Sequence, residues 1–324
     1  MIKKDPYNLK KKILSLSVSV LIIFLIGYFY FLELTRNWTA LQNYKLNINF
    51  HCLAISLLLC VLSGLMDTNV WKICINKHLG KHALTFPESI SIVNTSGLLR
   101  YVPGKIWIYT AQLAWLKKYG ISKTKILHSN FICTIASMTV SIYLGLVYIA
   151  LYTRHLTTNL IILFSIVLVL LNVAYVAFNS ILLNKLITTA NKFLKLDIPL
   201  LTNSIPLLVN IQFMYAFSWL LTGLAGYYLA IGVGLQIETS ELFALLASMS
   251  LSWLVGYLAV ITPNGLGVRE GFMLLMLNQV VNVQTALLFP IFSRIMFLLA
   301  EALLGLLALL MGIKLKVFAS ERCK

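Results

Sequence analysis

Acidic residues are scarce. Ten Asp and Glu occur in 324 residues, and charged residues of both signs make up only 11% of the chain. A soluble domain of this length needs far more polar surface, so a soluble globular fold is excluded. Long polar stretches are missing too. No segment between hydrophobic runs exceeds about 20 residues, which leaves no room for a separate soluble catalytic domain. The five cysteines, Cys52, Cys60, Cys74, Cys133 and Cys323, form no CxxC pair, and most lie in apolar segments. That spacing argues against a disulfide framework and against a zinc site. The five histidines are scattered, and none share a span face at metal-ligand spacing. GxSxG, P-loop and HExxH motifs are absent. Nucleotide hydrolysis and the usual serine or zinc hydrolase chemistries therefore have no recognisable seat, and no metal or cofactor is expected.

What the chain has instead is apolar length. It is 60% hydrophobic, with a mean hydropathy of +0.88. Six runs, roughly 13–34, 48–71, 126–152, 160–183, 205–234 and 286–313, each hold about the 20 apolar residues needed to cross a bilayer. The first follows Lys10, Lys11 and Lys12 like a signal peptide, but it is too long and no small-residue cleavage site follows. It reads as a retained span. Two further hydrophobic segments, 89–115 and 244–281, are broken near their middles by Pro and Gly and carry charge there. Such segments suit re-entrant helical hairpins, whose non-helical tips lie in protein or line a wet cavity.

The net charge of +16 does not point to nucleic acid. With the N-terminus in the cytoplasm and both broken segments re-entrant, 19 of the 26 Lys and Arg fall in cytoplasmic segments and three outside. This is the positive-inside pattern. It predicts a multi-pass protein of the cell (inner or plasma) membrane, with both termini cytoplasmic and an anionic lipid as partner. The remaining four, Arg100, Lys105, Arg269 and Arg294, lie at membrane depth.

The two broken segments match each other. At a shift of 160 residues Pro103 falls on Pro263, Ile106 on Leu266, Leu127 on Leu287 and Gly145 on Gly305. With a one-residue slip, "LSGL" from Leu62 falls on "LTGL" from Leu221. Each half then reads span, span, hairpin, span. Three spans is an odd number, so the second half enters the membrane upside down. The expected fold is an all-α polytopic membrane bundle of two inverted repeats, about 10–155 and 158–315, within one membrane domain of residues 1–324. Inverted repeats with broken helices in matching places are the transporter pattern, and the breaks mark the substrate site.

The candidate site follows from those breaks. Pro263, Asn264, Gly265 and Gly267 interrupt the second hairpin, and a helix restarting near Val268 presents free N–H groups that attract anions. Arg269 adds a planar fork suited to phosphate. Glu270 could pair with it or with another arginine. The alternative reading is an Arg–Glu pair that only pins the tip. In the first hairpin, Arg100 and Lys105 flank Pro103 and Gly104, placed either to receive an anionic headgroup from the cytoplasm or to snorkel to the interface. Arg294 and Glu301 stand seven apart in the last span and share a helix face below Pro290, which is expected to kink the helix. Asp67 reads as an interfacial acid or as the partner of a Lys or Arg.

At "LLRYVPGKIW" near residue 100 and "TPNGLGVREG" at 262–271 the chain resembles the lysylphosphatidylglycerol synthase transmembrane-region family, also called flippase-like. The family commonly has P-x-G-x-G-x-R-E-G at the second place, and Asn264 stands here where many members have Gly. The resemblance implies movement of an anionic or polyprenyl-linked lipid between leaflets. Bifunctional members add a soluble domain that transfers Lys to phosphatidylglycerol, and that activity is not expected of this chain. The expected function is a non-enzymatic lipid flippase serving envelope or polysaccharide biogenesis. Two alternatives are a membrane glycosyltransferase with a polyprenyl-linked donor, and a non-transporting partner of a lipid-modifying synthase. The glycosyltransferase would call on acids in an outer loop, where Glu238 and Glu241 form the only close pair.

Overall fold

A computed structural model describes residues 47–79, 83–101, 106–152, 205–259 and 262–318, with isolated helical residues between 28 and 42 and between 163 and 192. Among these residues the protein is all-helical. The helices are α1 (Phe50–Asn76), α2 (Phe86–Gly97), α3 (Ile106–Leu116), α4 (Lys123–Tyr152), α5 (Ile205–Gly232), α6 (Leu242–Leu258), α7 (Val268–Leu277) and α8 (Val283–Lys314). Their starts are set by local chemistry. The Asn49 side chain accepts from the N–H groups of His51 and Cys52 to open α1. Thr85 and Glu88 form a capping box at α2, with Pro87 in the first turn where its missing N–H does no harm. Asn282 caps α8, which runs unbroken through Pro290.

Among the described residues, five helical stretches are long and apolar enough to cross a membrane: Phe50–Asn76, Lys123–Tyr152, Ile205–Gly232, Thr239–Leu258 and Val283–Lys314. The protein is a multi-pass membrane protein. Four of these match the expected spans at 48–71, 126–152, 205–234 and 286–313. The expected spans at 13–34 and 160–183 lie largely outside the described residues. Both broken segments are helix, break, helix. α2 doubles back through a 3-10 turn (Leu98–Tyr101) to α3, with Gln112 donating to Ser96 Oγ at 3.0 Å and Tyr119 to Glu88 at 2.9 Å. α6 doubles back through the turn Pro263–Gly265 to α7. At 1.5 Å per residue α2, α3 and α7 reach about 18, 17 and 15 Å, well short of the ~30 Å hydrocarbon core. α6 is longer than a half-membrane arm, because the 3-10 turn Thr239–Glu241 leads straight into it.

The packing follows small residues. α1 and α5 lie along each other, with Ser56 Oγ donating to Ala225 O at 2.7 Å. Ser63 Oγ stands 2.9 Å from both Ser218 Oγ and Thr222 Oγ1. Small hydroxylated side chains let membrane helices approach closely and bond across the seam. α8 packs along α2, and α4 along α6. At these seams a Cβ on Gly305 would lie 2.7 Å from Leu98, and one on Gly145 would lie 2.5 Å from Leu251. Buried apolar side chains form one cluster around Trp71, Ile75, Ile132 and Ile211 and another around Leu229, Leu245, Leu274 and Phe289.

The two ends of the bundle differ in charge. At one end Lys118 Nζ donates to Lys316 O at 3.1 Å, beside Lys117, Lys123, Lys125 and Lys314. At the other, Asn49 N–H donates to Gly232 O at 2.8 Å and Tyr152 to Ser240 O at 3.0 Å. This end holds Glu238 and Glu241 and, among the described residues, no Lys or Arg.

Candidate functional site

The tips of the two doubled-back segments meet, and α8 runs past both. At the first tip Arg100 curls over Gly97, with Nε donating to Gly97 O at 2.8 Å. Its Nη1 then reaches Glu301 Oε1 on α8 at 2.9 Å. Tyr101 donates its hydroxyl to the other oxygen of the same carboxylate. Pro103, Gly104 and Lys105 lie outside the described residues.

The second tip is a tight left-handed turn. Asn264 has φ +49° and ψ +28°, Gly265 φ +67° and Gly267 φ +82°. Asn visits this region more readily than other residues with a Cβ, which explains how it can stand where a glycine is common. Gly265 presses on α6: a Cβ there would lie 2.6 Å from Gly256 Cα. The chain then enters α7. At its start Glu270 Oε2 accepts from the N-cap N–H of Gly267 at 2.7 Å. A carboxylate at the third helical position suits both the open N–H and the helix dipole.

Glu270 Oε1 also lies 3.6 Å from Arg294 Nε, so its ionic partner is Arg294. Arg294 and Glu301 share a face of α8, as expected, yet each engages a different hairpin. Arg269 is treated differently. Its guanidinium stands 5.8 Å from the centre of the Phe297 ring, a cation–π distance. Its stem lies against Gly256. Among the described residues no carboxylate and no hydrogen-bond acceptor pairs with it.

Two cavities meet at these arginines. The larger, about 300 Å³, takes in Asp67, Asn94, Trp71, Trp219 and Glu301. The smaller, about 180 Å³, lies between α3 and α6 and takes in Ile108, Tyr109, Gly256, Tyr257 and Asn264. Arg100, Arg269 and Trp253 line both. Among the described residues no Lys or Arg stands within ion-pair distance of Asp67. It faces the larger cavity and accepts from Ser218 Oγ at 2.7 Å, because α5 turns a serine toward it. Tyr109, Trp253 and Tyr257 line the cavities too, although no sequence motif marks them. The available signal was polar-tipped aromatics inside otherwise apolar broken segments. Glu238 and Glu241 hold a turn: Glu241 accepts from Glu238 N–H at 2.8 Å, and Glu238 accepts from Ser240 Oγ at 3.1 Å.

The geometry is that of a polar, charged seam between broken helices, and the comparisons agree with a membrane role. The family model for the lysylphosphatidylglycerol synthase TM region matches residues 12–314. The chain belongs to this family. Membership covers both hairpins and every charged residue of the seam, and it carries a lipid-related membrane role. The family is the non-catalytic membrane part of such synthases. Comparison with curated proteins returned no match.

Proposed function

We propose that the protein is a lipid flippase. It moves an anionic phospholipid or a polyprenyl-phosphate-linked lipid between leaflets of the cell (inner or plasma) membrane, in support of envelope or polysaccharide assembly. The observation that carries this reading is Arg269, a fixed cation without a carboxylate partner among the described residues, at the junction of two cavities. A charge at membrane depth is costly, and one without a partner marks a place for an anion. A phosphate-bearing headgroup meets that need, with Arg100 beside it. The barrier to leaflet exchange is the passage of a charged headgroup through about 30 Å of hydrocarbon, and a polar seam lowers it.

Internal symmetry supports the reading. α4 on α6 has its counterpart in α8 on α2. Ser63 and Thr222, matched positions of "LSGL" and "LTGL", touch each other, as residues near a two-fold axis do. In this reading repeats of about 10–155 and 158–315 form one domain. The lysine-rich end and both termini face the cytoplasm, and the two hairpins dip in from opposite faces. A synthase or polysaccharide machinery would supply or consume the lipid. The scheme includes neither nucleic acid nor enzymatic chemistry.

The test is purified protein in phosphatidylcholine vesicles with a trace of labelled phosphatidylglycerol or polyprenyl phosphate. Exchange well above empty vesicles is expected, falling about tenfold or more in Arg269→Ala, the effect of losing about 1.4 kcal/mol of headgroup stabilisation. Exchange equal to empty vesicles for all anionic lipids would remove the proposal. A scaffold without transport would instead leave Arg269→Ala fully functional in its pathway.

A further inference from the structure

The smaller cavity has walls unlike those of the larger. Its sides are single arms of the two hairpins, α3 with Ile108 and Tyr109 and α6 with Gly256 and Tyr257. These arms share no extended packing seam among the described residues. Tyr109 and Tyr257 bridge them, hydroxyl to hydroxyl, at 3.3 Å. Beyond the cavity the same arms turn apolar side chains outward: Ile106 and Trp107 at the start of α3, and Leu258 at the end of α6. In a multi-pass membrane protein such outward apolar faces meet lipid. Arg100 and Arg269 line the same cavity. The cavity thus joins two cations to helical arms that also carry outward apolar side chains.

We infer that this cavity is the lateral portal of the site. A lipid phosphate would rest on Arg269, and the first part of its hydrocarbon tail would pass between Tyr109 and Tyr257 into the bilayer. The inference rests on the flippase reading and adds where the tail runs. An amphipathic molecule must keep its tail in hydrocarbon while its headgroup occupies a polar cavity, because burying either part in the wrong medium is unfavourable. That requires a slit in the protein wall beside the cationic centre. The larger cavity offers a headgroup hydroxyl, amide and carboxylate groups at Ser63, Asp67, Asn94 and Ser218, beside apolar walls from Trp71, Trp219 and Leu304. The tyrosine pair suits the threshold. Each ring offers an apolar flank to a tail, and the hydroxyls satisfy each other while no lipid is present.

The first arm of the test is photolabelling of the full-length protein in vesicles. The probe is phosphatidylglycerol with a diazirine on the upper acyl chain. Adducts on the α3 and α6 peptides containing Tyr109 and Tyr257 are expected, and they should persist with millimolar inorganic phosphate present. Adducts confined to the outer faces of other helices, or loss of labelling to inorganic phosphate, would overturn the portal. The second arm joins Tyr109→Cys and Tyr257→Cys with a short bifunctional maleimide, with each single variant treated alike. Joining should cut leaflet exchange about tenfold relative to the treated single variants. Exchange at the unjoined rate would overturn the portal and leave the flippase reading standing. A wild-type protein that moves no lipid, yet shows the adducts, would sink the flippase reading and retain the portal as a lipid-binding site.

Discussion

Arg269 and Arg294 sit on neighbouring helices, and only Arg294 has a carboxylate within ion-pair distance among the described residues. Arg294 faces Glu270 at 3.6 Å, whereas Arg269 has a phenyl ring at 5.8 Å and open cavity. Their substitutions should therefore separate. Removing Arg294 takes the ion-pair partner from a partly buried carboxylate, a destabilisation of roughly 1–3 kcal/mol. Removing Arg269 breaks no ion pair among the described residues. Thermal melting in detergent should show a clear drop for Arg294→Ala and a curve near wild type for Arg269→Ala, while lipid exchange suffers in the latter. Equal drops in stability would mean that Arg269 has a structural role. Arg269→Lys is a sharper probe. It keeps the charge and loses the planar fork, so exchange should stay several-fold below wild type if phosphate is held by two parallel hydrogen bonds.

At the scale of the element, the second tip is held by its backbone shape. Gly265 combines φ +67° with a neighbouring backbone 2.6 Å from where a Cβ would stand. Gly265→Ala adds a left-handed penalty of roughly 1–2 kcal/mol to a clash that no side-chain rotation relieves. The melting temperature and exchange should fall together. Asn264→Gly should melt like wild type, whereas Asn264→Val should lose about 1–2 kcal/mol; identical melting of the two would show that the left-handed turn is not needed. The breaks were legible from the chain because Pro and Gly disfavour helix wherever they fall. The ionic partners were not. Arg294 and Glu301 could be placed on one face by their spacing, but which hairpin each would meet depends on how three separate helices cross. Asp67 was opaque for the same reason, since its partner Ser218 lies 151 residues away on α5. The apolar run alone starts α6 near 244, because Thr239, Ser240 and Glu241 are polar, and the 3-10 turn they form carries the helical stretch back to Thr239.

At the scale of the whole molecule, charge divides the bundle into a lysine-rich end and an end with acids only among the described residues. In the proposed orientation these ends face opposite solutions. Single cysteines at Lys118 and Ser240, in a variant without the native cysteines, should react with an impermeant maleimide from opposite sides of sealed vesicles. Labelling from one side only would overturn the assignment. The proposed halves are also braided: α8 clasps the hairpin of the first, and α4 that of the second. Gly305 receives Leu98 and Gly145 receives Leu251 like notches cut for the opposite half's pegs. A chain severed between the halves would leave each fragment with an empty notch and an unseated hairpin, and only the two made together would rebuild the joint. A shift of either hairpin must likewise be felt by the far half's last helix, so the two tips move as one mechanism.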